Sequence, residues 1–344
     1  MENVLSMRGN IKMREHDLMN TETSDYPGTV HGVDDSWSQK KFEKTFRVGI
    51  VSLDEESMEF DMIGLNPATA NAIRRILISE IPTMAPDKVY LYNNTSIIQD
   101  EVLAHRIGLV PFKIDPRMFE YRDKGAEGSP EDTVEFELKM KCTKNPHAPK
   151  DACTPDELYR DHIVYTKHLK WVPLRGQAEI FANNPPRPVH DDIILAKLRP
   201  GHEIDLKLHC MKGLGRDHAK FSPVATASYR LLPQITLLRD VEGEAAERLK
   251  SSFSEGVIDI EETNDGRKVA KVANARVDTC SRNVFRFDDL KDAVELTRVK
   301  DHFIFSVEST GALPPDVLVT EAIKVLMGKC KLFLSEIEQV ESGS

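Results

Sequence analysis

The chain has 344 residues, a net charge of −10 and a pI near 5.6, so its length suggests two or three domains. The acidic balance argues against a dedicated nucleic-acid binder, which carries a basic domain or stripe. It leaves open a place in a nucleic-acid machine whose basic channel is built by other chains.

Residues 1–41 lack apolar periodicity and read as a mobile or partner-dependent arm. Residues 1–30 lack the apolar core of a signal peptide, and no apolar run approaches the ~20 residues that cross a bilayer, so an intracellular, soluble chain is expected. The five cysteines, Cys142, Cys153, Cys210, Cys280 and Cys330, show no zinc or redox spacing, which predicts free thiols in a reducing compartment. The sequon Asn93-Asn94-Thr95 has meaning only in a secreted chain.

The pattern predicts a hairpin over residues 42–60, with Phe46, Val48 and Ile50 on one face and an acidic turn at Asp54-Glu55-Glu56. A helix follows, capped by Asn66 with Pro67 in its first turn. Ala70, Ile73, Leu77 and Ile81 form its apolar stripe, while Asn71, Arg74, Arg75 and Ser79 lie off it, and Pro82 stops it. A strand over 88–92 and a short helix over 100–107 come next, the latter ended by Gly108.

From Thr133 to about Ser222 the pattern is strand-like with Pro-rich loops, and the loop 183–188 cannot be a central strand. Strands resume over 227–238, a short helix is expected over 245–253, and a strand pair over 257–277 turns at Asn264-Asp265-Gly266. A helix is expected over 289–299 and a strand through Phe303, Phe305 and Val307.

The last helix is the most regular feature. Val319, Ile323, Leu326, Cys330, Phe333, Ile337 and Val340 alternate steps of four and three, a 3.5-residue repeat suited to lengthwise packing on another helix. The seam can lie on the chain's own sheet or be completed by a partner. Leu318, Val325 and Leu332 add apolar surface beside it, which favours a partner.

Catalytic signatures are weak. Gly213-Leu214-Gly215 lacks the third glycine and the Walker lysine of a phosphate loop. His190-Asp191-Asp192 cannot all face one ion from an extended loop. His209 and Cys210 point to opposite faces of a strand, His218 has no paired ligand at helical or hairpin spacing, and Asp100 and Glu101 diverge by about 100° on a helix. The Arg74-Arg75 pair, by contrast, suits interface ion pairs and bidentate contacts.

Three runs carry a family resemblance: residues 71–85 (NAIRRILISEIPTMA) with 100–112 (DEVLAHRIGLVPF); residues 212–233 (KGLGRDHAKFSPVATASYRLLP); and residues 305–329 (FSVESTGALPPDVLVTEAIKVLMGK). In these, and in their order, the chain resembles the alpha-like subunits of cellular RNA polymerases. Within that family the stretch 219–226 resembles the member shared by nuclear polymerases I and III, with the polymerase II counterpart as runner-up and a stand-alone nucleic-acid module as a more distant alternative.

The resemblance implies an α+β fold: a split dimerisation domain, 42–85 with 226–344, and an inserted mainly β domain, 86–225. It implies a non-catalytic scaffold that supports synthesis of ribosomal RNA precursors, 5S rRNA and tRNA. A smaller alpha-like subunit would pack on Val319, Ile323, Leu326, Cys330, Phe333, Ile337 and Val340. The second-largest catalytic subunit would dock on Asn71, Arg74, Arg75, Asp100, Glu101, His105 and Arg106. Further implied partners are the largest subunit and small zinc-binding common subunits, with DNA contacted only through the complex and no membrane. The implied location is the nucleus, including the nucleolus, with assembly in the cytoplasm. Some relatives carry a cysteine cluster for a metal near 257–287. Here that region holds Cys280 alone, too few ligands for a tetrahedral site, so no metal and no cofactor are expected.

Overall fold

The computed structural model describes residues 9–21, 36–123, 125–263 and 266–342. The fold is α+β. Its longer described helices are Gln39–Thr45 (α1), Pro67–Ser79 (α2), Asp100–Gly108 (α3), Gly243–Ser252 (α4) and Pro315–Ser342 (α5). The chain forms two compact units. One comprises Met1–Ser52, Glu59–Asn71 and Ser228–Ser306; the other comprises Leu53–Met58, Ala72–Ala227 and Val307–Ser344.

The first unit is built on a six-stranded sheet. Its order is Leu18–Met19, Asn10–Met13, Val294–Ser309, Ser57–Ile63 and Arg47–Leu53, and Val224–Leu237 also pairs with Val294–Ser309. Strand Ser57–Ile63 alternates strictly, burying Met58, Phe60 and Met62. Phe60 stacks on Phe305 at 5.1 Å between ring centroids, and Tyr229 meets Phe303 edge-on at 5.3 Å. A second cluster gathers Met13, Val241, Leu249, Val257 and Leu296. On the sheet's polar face Arg276 bonds Glu59 and, at 2.8 Å, Asp61, whose carboxylate also meets His302 at 3.0 Å.

The second unit holds a four-stranded antiparallel sheet in the order Lys170–Val172, Thr133–Lys141, Glu203–Leu214, Pro82–Asn94. Ile204, Leu206, Leu208 and Cys210 point to the core with Val134, Phe136 and Leu138, and α3 adds Leu103 and Ile107. The opposite face is a charge ladder: Lys207 reaches Glu135 at 2.9 Å and Glu137 at 3.2 Å, and Lys139 reaches Asp205 at 2.6 Å. Alternation with one solvated face is the expected logic of an antiparallel sheet. The register slips between His209 and Cys210, where the partner residue is Pro86. Proline has no N–H to give the ladder, so the irregularity falls where a bond would be missing.

Several expectations need correction. The 1–41 arm is not featureless: Asn10–Met13 pairs with the strand Val294–Ser309, and Met13 is buried. Two alternating apolar residues suffice when a neighbouring strand supplies the hydrogen bonds. Residues 289–299 are not helical; turns run to Ala293 and a strand starts at Val294. Val294 and Leu296 are both buried, a period of two that a helical pattern overlooked. α2 stops at Ser79, so Ile81 reaches the core from the bend beyond the helix. The strand expected over 88–92 extends to Pro82–Asn94. Residues 264 and 265 of the expected turn lie outside the described residues, but Ile258–Glu262 and Lys268–Val272 do pair. By its contacts, α5 groups with 72–227 rather than with residues 47–52 of the hairpin.

Candidate subunit interface

The α2 N-terminus is capped as its sequence dictates: the Ala68 N–H donates to Asn66 Oδ1 at 2.7 Å. Ala70, Ile73 and Leu77 bury the stripe, which turns Arg75 outward and leaves Arg74 and Asn71 half-buried. On α3, Leu103 and Ile107 are fully buried, so Glu101, Val102, His105 and Leu109 face out. Asp100 and Glu101 in its first turn and His105 and Arg106 in its last complement the helix dipole.

Not every expected docking side chain is available in full. Arg106 donates to the main-chain oxygens of Ile194 at 2.6 Å and Leu195 at 3.3 Å, so its fork already ties α3 to the neighbouring strand. Asp100 accepts from Asn94 Nδ2 at 2.7 Å. Arg75, Glu101 and His105 are exposed.

The C-terminal part of α2 and the helix α3 share a support that residue-by-residue reading misses. The segment 213–221 runs past both. A Cβ on Gly215 would lie 2.3 Å from the Ile78 carbonyl oxygen, and one on Gly213 would lie 2.6 Å from the Phe221 ring. The two glycines are there for close backbone approach, not for a phosphate. The Arg216 N–H donates to Ser79 O at 3.0 Å. The His218 ring lies 6.5 Å from that of His105, and Lys220 Nζ donates to Pro86 O at 2.9 Å and Asp87 at 2.7 Å. Thr310 donates to Pro223 O from both its N–H and its hydroxyl, each at 3.0 Å. The three sequence runs thus meet around one small cavity of about 160 Å³ lined by Thr83, Leu109, Phe112, Lys220 and Thr310. The signal was present in the run 212–233, but not the reason for it.

α5 divides into two parts. Leu318 and Ala322 are fully buried and Val319 nearly so. Beyond them the seam opens: Ile323 is 40% exposed, Phe333 73%, Ile337 51% and Val340 71%, and Cys330 is exposed with them. Leu326 is half-buried. Arg117 lies 3.9 Å from Glu321, and Lys329 reaches Glu80 at 2.6 Å, which fixes the helix to its own unit along one side.

Cys210 is sealed in the core, where burial pushes its thiol far up and away from the reactive thiolate. Burial lowers the neighbouring His209 while Glu135 opposes it. Among the described residues no three His, Cys, Asp or Glu side chains are placed to hold a metal ion, and no helix is long and apolar enough to cross a membrane.

Residues 59–330 match the model of the RNA polymerase Rpb3/Rpb11 dimerisation domain. The chain belongs to that family. It is 61% identical over 339 residues to the mouse DNA-directed RNA polymerases I and III subunit RPAC1, covering 98% of each chain. The Saccharomyces cerevisiae protein of the same name is 48% identical over 318 residues, 91% of this chain and 94% of that one. The Dictyostelium discoideum RNA polymerase II subunit rpb3 is more distant, at 30% over 300 residues, 81% of this chain and 91% of that one. Similarity to proteins of the polymerases I and III subunit name therefore runs over nine tenths or more of the chain, at 48% and 61% identity against 30% for the polymerase II subunit.

Proposed function

We propose that this chain is the alpha-like scaffold subunit common to nuclear RNA polymerases I and III, and that it joins a smaller alpha-like subunit through α5 and the second-largest catalytic subunit through α2 and α3. The observation that carries the reading is the open seam of α5, where Ile323, Phe333, Ile337 and Val340 stand in solvent in the isolated chain. An apolar stripe continued over several turns without a cover is the signature of an obligate partner. The chain contributes no group to nucleotidyl transfer; the catalytic carboxylates belong to the largest subunits. Its place is the nucleus, including the nucleolus, after assembly in the cytoplasm, supporting ribosomal RNA, 5S rRNA and tRNA synthesis. Small zinc-binding subunits join the same platform, and DNA is met only through the assembled enzyme.

Affinity purification of the tagged chain tests the reading. The largest subunits of both polymerases I and III should co-elute; those of polymerase II alone would refute it. Arg74→Glu with Arg75→Glu should leave the heterodimer intact and reduce recovery of the second-largest subunit at least about tenfold. Equal loss of both contacts would mean that α2 serves folding rather than docking.

A further inference from the structure

The strand Arg47–Leu53 ends the six-stranded sheet, and all seven of its residues are exposed. That is unusual for its composition. Val48 is 52% exposed, Ile50 60% and Val51 53%, and successive side chains of a strand point to opposite faces. Apolar side chains are therefore bare on both faces, beside a row of main-chain groups with no neighbouring strand among the described residues. Natural edges are blunted by charge, proline, bulges or a cover; this one has a single charge, Arg47, at its start. A helix laid on one face would leave the other wet. An extended segment added as a strand flanks the apolar side chains of both faces and satisfies the edge hydrogen bonds.

Charge says what that segment carries. α1 leads directly into the strand and bears Lys40, Lys41 and Lys44 against Glu43, with Arg47 one turn on. None of the three lysines makes an ion pair with a described residue. The Arg47 guanidinium donates to the main-chain oxygens of Phe46 at 2.7 Å and Glu43 at 3.5 Å, which holds it at the strand entrance without neutralising it. A cleft of about 430 Å³ opens at the same end, lined by Trp37, Lys41, Phe42, Thr45, Leu65 and Asn66. Trp37 is 77% exposed there.

We infer that the edge Arg47–Leu53 takes an added β-strand from another polymerase subunit, an extended apolar segment with an acidic end held by Lys40, Lys41 and Lys44, next to the Trp37 cleft. Neither α2 nor α5 enters this contact, so it stands apart from the docking surfaces proposed above.

Hydrogen–deuterium exchange over residues 47–53 tests it, measured on the free chain at two concentrations, on the heterodimer and on assembled polymerase I. The amides pointing away from Ser57–Ile63 should exchange freely in the isolated chain and at least about tenfold more slowly in one of the assemblies. Protection already in the heterodimer would identify the smaller subunit as donor, and protection only in the whole enzyme a catalytic subunit. A triple variant, Lys40→Glu, Lys41→Glu and Lys44→Glu, lies on an exposed helix and should fold normally yet lose most of that protection. Unchanged exchange in every assembly would overturn the inference. So would protection in the free chain, whether independent of concentration, meaning that this chain covers its own edge, or rising with concentration, meaning a second copy.

Discussion

The two parts of α5 share one helix but not one environment. Leu318 and Ala322, beside the repeat, and Val319, its first member, are buried, while Ile323, Phe333 and Val340 of the same repeat are exposed to water. Hydrophobic periodicity therefore states which face of a helix wants cover. It does not state whether the cover comes from the same chain. In the first part the cover is built in. In the second it has to be supplied by another molecule, and the apolar area left bare is a reservoir of association energy rather than of folding energy.

The contrast can be broken most violently from the buried side. Leu318→Asp places a carboxylate in a sealed core and should cost the isolated chain about 3–5 kcal/mol, read as a lower midpoint in chemical unfolding. Ile323→Asp with Phe333→Asp should do the reverse. Unfolding of the isolated chain should shift by no more than about 0.5 kcal/mol per site, while affinity for the smaller subunit, measured by co-purification and titration, falls at least about 100-fold. If the pair still co-purifies, the seam is not the interface.

A middle-sized test asks how tightly the built-in packing is drawn. Gly215→Ala forces a methyl against the Ile78 carbonyl and the Ser79 backbone. It should cost about 1–3 kcal/mol through overpacking, and thermal unfolding would show it. A neutral result would mean that 213–221 can retreat from α2 without penalty.

The smallest effect concerns the ionic tie at the buried part of α5. Asp115 bonds Arg117 at 2.7 Å, and Arg117 faces Glu321. Burial pushes the Asp115 carboxyl up, but the Arg117 guanidinium and backbone N–H, aided by the charges of Arg117 and Lys212, hold it below the ordinary aspartate value. A depressed carboxylate contributes stability above its unfolded pKa of about 3.9 and loses it as pH falls through the folded value. Asp115→Asn should therefore shift stability slightly and equally across neutral pH, and flatten the acid limb below about pH 4. The pair is substantially exposed, so the effect is small.

Much of the architecture is legible in the sequence alone. The α2 cap at Asn66 and the stripe through Ala70, Ile73 and Leu77 follow from local chemistry. The strand beginning at Val294 was hidden because a short apolar stretch fits either period. The pairing of Asn10–Met13 was hidden because a strand's hydrogen bonds come from a neighbour far along the chain. At the candidate interface, the residue types were readable but not their commitments. Arg106, implied as a docking side chain, is bound to the main chain of Ile194 and Leu195, while Gly213 and Gly215, a fragment of a glycine-rich loop by sequence, are points of close packing.

The sequence by itself determined the local rules: where helices begin, which faces are apolar, and which family's motifs recur in order. Only the tertiary structure decided which apolar faces are already covered, because burial depends on distant neighbours that no local period encodes. That is why one repeat, Val319 to Val340, is read the same way along its whole length and yet is core at one end and open surface at the other.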